Sequence, residues 1–370
     1  MPRSFLALGP FTPRDRALQG AAEAASGVLR FAATAAELEA VAAEDVSPDA
    51  ILVHLAAPDL AQITEAVQGT PALQGVPLIA IVPALSLDGA LRAASLGADD
   101  LLAEDELDHE LGGYLALASE APQLGTPSQQ RTVLLADTAP TRGRLLTFLL
   151  SQAGFHVVRV GDGVEALRVL EDGDGVDLVV LDHRLPGCEP TSFLALAGER
   201  LGETPPGILL VDGEVSSETA AAALESGFRH LYDARRPPDE LVFLANEATI
   251  RDHGRLRAAP RFPCAVLVRF REEGGRWRHG LSYNVSISGL FVRTIAPPPG
   301  NAVVDMELTP PGLAPIAARA RVAWRKLFSA RADRTVPTGM GLKLCEPGLD
   351  VQKAMAVFAL QLAARVAGVA

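Results

Sequence analysis

Three cysteines in 370 residues, Cys188, Cys264 and Cys345, are too scattered and the wrong parity for a disulfide framework or a zinc site. Buried free thiols in a reducing compartment are the reading their spacing favours. No apolar run approaches the ~20 residues that a membrane helix needs, so no membrane insertion is expected. The opening MPRSFLALGP carries one short apolar patch, closed by Pro10 and Pro13. That is shorter than the apolar region of a secretion signal, and a cytoplasmic location is expected. G-x-S-x-G, H-E-x-x-H and the P-loop are all missing, so no enzyme is expected. No reading helix or aromatic platform stands beside the basic residues, which argues against specific nucleic-acid binding.

What is present is ample for packed domains. Apolar residues make up 48% of the chain, enough for real cores. The net charge of −12 hides an asymmetry: residues 251–350 hold 16 Lys and Arg against 8 Asp and Glu, leaving 17 basic and 37 acidic residues elsewhere. A basic module on an acidic body suggests an anionic ligand, or simply attraction between the two parts.

Residues 119–131, SEAPQLGTPSQQR, read as a polar linker between two similar segments. The first, 1–118, runs FLALG (5–9), ILVHL (51–55), LIAIV (78–82) and GADDLL (97–102), with Ala- and Leu-rich helical stretches between. The second, 132–250, runs VLLAD (133–137), HVVRV, DLVVLD (177–182) and ILLVD (208–212); its first helix puts Leu145, Leu146, Leu149 and Leu150 on one face. Strands apolar on both faces, alternating with helices, predict doubly wound parallel α/β sheets covered on both sides. Asp49 and Asp177 open equivalent strands, and Gly97 and Gly227 end equivalent helices, at nearly constant offset. Two copies of one domain are expected.

The stretch DLVVLDHRLPG (177–187) resembles the third strand and following turn of a response-regulator receiver domain. The resemblance implies a phosphoacceptor at Asp182 and the first acid of a Mg²⁺-holding pair at Asp137, at strand C-termini where such sheets place their sites. The rest of the pattern departs. Thr138 stands where the second acid belongs, Asp212 replaces the hydroxyl residue and adds charge near Asp182, and Ala234 replaces the lysine. Arg235 and Arg236 are close enough to substitute in part. With Mg²⁺ held only weakly at Asp137 and Asp182, inefficient phosphorylation is expected. The first copy departs further, with His54 at the acceptor position and Glu104 at the lysine position. His54 is expected to be structural, and both copies to serve as interaction surfaces.

From residue 251 to 370 the pattern becomes β: CAVLVRF (264–270), RWRHGLSYNVSISGLFVRT (276–294), AVVDMEL (302–308), IAARARVAWRKLF (316–328) and GMGLKL (339–344). An antiparallel barrel is expected, then a C-terminal helix with Val351, Met355, Phe358, Leu362 and Val366 at helical spacing, packed on the barrel or a partner. Ahead of it, RAAPRFP (257–263) sets Arg257 and Arg261 four apart with prolines that favour extended backbone.

This region resembles a PilZ domain, a bacterial receptor module for cyclic di-GMP. R-x-x-x-R is met by Arg257 and Arg261, and [D/N]-x-S-x-x-G by Asn284, Ser286 and Gly289 in NVSISG. The resemblance implies phosphate and base contacts from Arg257 and Arg261, guanine or phosphate contacts from Asn284 and Ser286, and loop geometry from Gly289, with Arg255 as an added phosphate contact. Guanidinium forks suit phosphate oxygens and guanine edges, and glycine is expected at Gly289 for positive φ and close approach of the backbone to the ligand. A bacterial signalling protein that binds cyclic di-GMP and relays it by interdomain or partner contacts is expected. The alternative is a ligand-independent scaffold for motility, polysaccharide or development proteins. RAAPRFP, at the junction, is a candidate hinge.

Overall fold

In a computed structural model, the described residues are 3–11, 14–42, 48–70, 73, 76–119, 131–171, 175–213, 216–249, 259–327 and 336–366. The architecture is two parallel α/β sheets and one closed antiparallel barrel with a C-terminal helix.

The first sheet is built from β1 (Arg3–Leu8), β2 (Gly27–Ala32), β3 (Ala50–His54), β4 (Leu78–Val82) and β5 (Asp100–Ala103), in the order β2-β1-β3-β4-β5. All pairings are parallel, and β3 and β4 are buried along their whole length, as their unbroken apolar runs require. Helices α1 (Asp15–Ala24), α2 (Ala35–Ala42), α3 (Leu60–Gly69), α4 (Leu87–Leu96) and α5 (Leu107–Ser119) follow the strands in turn. Ser86 caps α4 by accepting the Gly89 N–H, and Gly97 ends it in the left-handed region, a signal pair readable in the sequence.

The second sheet repeats this plan with β6 (Thr132–Ala136), β7 (His156–Val160), β8 (Leu178–Asp182), β9 (Gly207–Val211) and β10 (Phe228–Asp233), in the order β10-β9-β8-β6-β7. Helices α6 (Pro140–Gln152), α7 (Gly163–Glu171), α8 (Pro190–Leu201), α9 (Ser217–Glu225) and α10 (Asp239–Thr249) connect and close it. Counted within each copy, both sheets have the 2-1-3-4-5 order of flavodoxin-like and receiver folds. The repeat extends to single hydrogen bonds. Asp49 Oδ2 accepts the Ser4 N–H at 2.7 Å, and Asp177 Oδ2 accepts the Thr132 N–H at 2.8 Å.

A two-residue strand, β11 (Phe262–Pro263), precedes the barrel strands β12 (Leu267–Glu272), β13 (Arg278–Ser286), β14 (Gly289–Arg293), β15 (Val303–Leu308), β16 (Ile316–Lys326) and β17 (Gly339–Leu344). Their order is β13-β12-β15-β16-β17-β14, and a β13–β14 pairing closes the ring. The long run at 276–294 thus divides into two strands joined at Ile287 and Ser288. Val268, Phe270, Met306, Leu308, Val322, Leu342 and Leu290 are buried at alternating strand positions and fill the interior.

The chain forms two compact units. One comprises Met1–Thr126, Ala265–Ala332 and Pro337–Met355, so the first α/β sheet and the barrel belong together although the second sheet lies between them in sequence. Ile295, just past β14, sits in the same apolar cluster as Phe5, Leu52 and Ile81. The other unit comprises Pro127–Cys264, Asp333–Val336 and Ala356–Ala370. The helix α11 (Leu349–Val366) is divided between them after Met355. Its last turns pack on the second α/β domain: Arg365 donates to Glu240 of α10 at 2.6 Å and to the Pro263 carbonyl at 3.0 Å. The expectation that α11 packs on the barrel or a partner is corrected to that extent, because a buried carboxylate on α10 supplies the counter-charge. Among the described residues no helix is long and apolar enough to cross a membrane.

Candidate functional site

In the second sheet β6 and β8 are neighbours. Asp137 follows β6 directly and Asp182 ends β8, so their carboxylates converge at the strand C-termini. Both are buried. Between them lies a residue the sequence reading passed over, Arg142. Its Nη2 donates to Asp137 Oδ1 at 2.6 Å and to Asp182 Oδ2 at 2.5 Å, while Nε donates to Asp137 Oδ2 at 2.9 Å. Arg142 is in the first turn of α6, where the helix dipole disfavours a cation. A basic residue in that turn, five after Asp137, is the sequence signal that could have revealed it.

Thr138 completes the cluster, its hydroxyl donating to Asp182 Oδ2 at 2.9 Å, and the Arg184 N–H donates to Oδ1 at 3.0 Å. Burial alone would raise the Asp182 carboxyl. The Arg184 N–H, the Thr138 hydroxyl, Arg142 and His183 outweigh it and hold the group below the usual carboxylate range.

These residues do not fit the Mg²⁺ that the receiver resemblance implies. A cation needs several oxygen ligands, but the second acid is a threonine whose proton faces Asp182. The two carboxylates already share a guanidinium. Among the described residues no group of three or more His, Cys, Asp or Glu could hold a metal. Asp137 and Asp182 are therefore corrected as metal ligands, because Arg142 supplies the positive charge instead.

Two further expectations about this site change. Arg235 pairs with Asp233 at 2.7 Å and Arg236 with buried Glu240, so neither stands in for the lysine. Asp212 is half-exposed and lies 3.4 Å from Arg184, so its charge is met locally.

In the first sheet the acceptor and lysine positions are joined to each other. His54 Nε2 lies 2.9 Å from Glu104 Oε1, and the Ala56 N–H donates to Nδ1 at 3.3 Å. Nε2 is thus the protonated nitrogen and donates to the carboxylate. Phe11 packs edge-on against the ring at 5.3 Å. The expected structural histidine has the partner that the sequence alone did not supply.

In the barrel, Asn284 is buried on β13, opposite Phe291 of β14. Ser286 closes the β13–β14 turn: its hydroxyl donates to the Gly289 carbonyl at 3.1 Å and accepts the Ser288 N–H at 3.4 Å. Gly289 is not in the left-handed region, which corrects the expected positive φ. Its need for glycine is close approach. A Cβ there would stand 2.1 Å from the Leu342 carbonyl oxygen of β17. The structure thus gathers Asn284, Ser286 and Gly289 at one end of the β13–β14 hairpin. Arg255 and Arg257 lie outside the described residues. Arg261 is half-buried ahead of β11 and belongs to the other compact unit. Part of the barrel's basic charge is used internally: Arg269 pairs with Glu307 at 2.5 Å and Arg271 with Asp305 at 3.3 Å, and both guanidiniums lie over the Trp277 ring.

The opposite end of the same strand contacts the first α/β domain. The Thr294 hydroxyl and the Ile295 N–H both donate to Asp100 Oδ2, and Arg293 donates to the Ala98 carbonyl at 2.6 Å. His279 Nδ1 lies 3.0 Å from Glu106 Oε1.

Residues 255–356 match the PilZ domain family, so the basic β module is a PilZ domain. No curated protein matches the chain. Among solved structures, a two-component system response regulator/GGDEF domain protein is similar at 21% identity over 66% of this chain and 96% of its own, with a TM-score of 0.35. The Francisella response regulator 1452 receiver domain is similar at 23% identity over 32% and 97%, with a TM-score of 0.30. The PilZ domain of YcgR from Escherichia coli, solved with c-di-GMP, is similar at 10% identity over 30% and 94%, with a TM-score of 0.26.

Proposed function

We propose, from the PilZ domain at residues 255–356, that this chain is a cyclic di-GMP receptor of a bacterial signalling pathway. It acts in the cytoplasm without enzymatic activity and passes the signal on through contacts of its α/β domains with other signalling or motility proteins. The observation that carries the reading is the family match over a segment holding both R-x-x-x-R and NVSISG in order. Arg257 and Arg261 take phosphate oxygens or guanine edges through bidentate forks, with Arg255 as an added phosphate contact. Asn284 and Ser286 offer short polar groups at the hairpin end. The charged forks make affinity fall with salt.

Isothermal titration calorimetry of the full chain with cyclic di-GMP tests this. Binding by the wild type, nearly abolished in Arg257→Ala and in Arg261→Ala, is the expected result. No heat at high micromolar ligand in a folded sample would sink it.

A second reading, a scaffold independent of ligand, is favoured by one observation. Both α/β domains fill their sites with internal polar contacts, an ion pair of Arg142 with Asp137 and Asp182 and a hydrogen bond from His54 to Glu104. In either reading these domains work as surfaces and not as phosphoryl acceptors.

A further inference from the structure

Two strand irregularities in the barrel converge on one row of residues. In β16 the register shifts between Val322 and Trp324. Val322 is buried and faces Leu342 of the interior. A regular strand would send Trp324, two residues on, to the same side. The extra residue turns it to the outer face, opposite Gly341. In β13 the register shifts between Ser282 and Asn284, which brings Asn284 opposite Phe291. Because Phe291 also pairs with Gly341, the outer face carries Asn284, Phe291, Gly341 and Trp324 side by side on four adjacent strands.

The contacts within this row show how the indole is held. Trp324 lies over Gly341, where a Cβ would stand 2.3 Å from Nε1. Its ring meets Phe291 at 5.1 Å and 36°, and Tyr283 supports Phe291 edge-on at 6.0 Å. Phe291 is fully covered, but Trp324 remains 40% exposed. One side of the indole is thus braced by protein, while the ring stays open to solvent on the face that carries the motif asparagine three strands away. Packing alone does not require a bulge that moves a large aromatic out of the core.

We propose that Trp324 is a base-stacking residue of the nucleotide site, holding one guanine of the ligand flat against its exposed face while Asn284 meets a polar edge or phosphate. The inference rests on the cyclic di-GMP reading and adds a residue to it. Aromatic stacking on a base weakens about 10- to 100-fold when the ring is removed, and it tolerates exchange of one aromatic ring for another.

Calorimetry of the full chain with cyclic di-GMP should show Trp324→Ala binding about 10- to 100-fold more weakly than wild type, with Trp324→Phe staying within a few-fold. The chain has 2 tryptophans, so Trp277→Phe leaves Trp324 as the sole indole, which is excited at wavelengths that tyrosine does not absorb. Its fluorescence should change on titration with the midpoint that calorimetry gives. This measurement keeps Trp324 in place and does not depend on the alanine variant folding. Wild-type binding with an unaltered Trp324 emission, or with Trp324→Ala within twofold of wild type, would overturn the stacking role and leave the receptor reading standing. Absence of wild-type binding would remove both.

Discussion

The Thr294 hydroxyl donates to Asp100 Oδ2 over 2.9 Å, joining residues 194 positions apart in the chain. The Ile295 N–H reaches the same oxygen at 2.7 Å, and the Leu101 N–H reaches Oδ1 at 2.8 Å. One buried carboxylate of the first α/β domain thus receives the end of strand β14, whose other end begins at Gly289 of NVSISG. Any shift of the hairpin end is therefore only a few residues of one strand away from a contact between two domains. A strand is stiff, but coupling along it requires two states that a ligand distinguishes.

This contact should give the first unit a pH-dependent stability. Burial pushes the Asp100 carboxyl up to about 7, against the Ile295, Leu101 and Thr294 hydrogen bonds that lower it, with Asp99 adding to the rise. The folded pKa lies above the unfolded value, so the folded unit binds the proton more tightly. The contribution is complete below about pH 4 and is lost as pH rises through 7. Roughly three units correspond to about 4 kcal/mol at most. The thermal midpoint of the wild type should therefore fall between pH 5 and pH 8 by more than that of Asp100→Asn. Parallel profiles for the two proteins would refute the assignment.

The α/β repeat was legible because its signals are local and redundant. Apolar strands, the Gly97 and Gly227 helix stops and the Asp49 and Asp177 strand openers act within a few residues of themselves. The barrel strands were legible for the same reason, although the run at 276–294 hid the hairpin turn within NVSISG. What could not be read is what depends on long-range placement. Arg142 faces two carboxylates only because β6 and β8 are adjacent. His54 meets Glu104 across 50 positions. The union of the first sheet with the barrel skips a whole domain, and no periodicity records it. Gly289 shows a subtler limit: glycine was expected there for backbone torsion and approach to a ligand, whereas the cause is the carbonyl of a strand more than fifty residues on.

Gly289→Ala tests that cause. A Cβ 2.1 Å from the Leu342 oxygen must push β14 away from β17, because backbone on both sides leaves no side chain to swing aside. Overpacking of this kind costs about 1–3 kcal/mol. Had torsion been the cause, an asparagine, which tolerates left-handed backbone, would rescue the position. Gly289→Asn should instead be at least as destabilised as Gly289→Ala in urea unfolding. A milder effect of asparagine would point back to torsion.

Arg142 carries the sharpest consequence for the second α/β domain. Its guanidinium is shared by two carboxylates whose side chains are 0% and 5% exposed. Removing one partner of such a cluster leaves buried charge uncompensated and costs about 3–5 kcal/mol. Arg142→Ala should therefore unfold at lower urea than wild type, and added Mg²⁺ should recover part of the loss, because a divalent ion then meets Asp137 and Asp182 without a competing cation. The wild type should be insensitive to Mg²⁺. The same logic predicts that a small-molecule phosphodonor leaves wild-type Asp182 unmodified on phosphate-tag gels, since a carboxylate oxygen bound by Arg142 and Thr138 is neither free to attack nor served by a metal. Mg²⁺-dependent stability or Asp182-dependent phosphorylation of the wild-type chain would show that the guanidinium yields its place, and the domain would then be a working receiver.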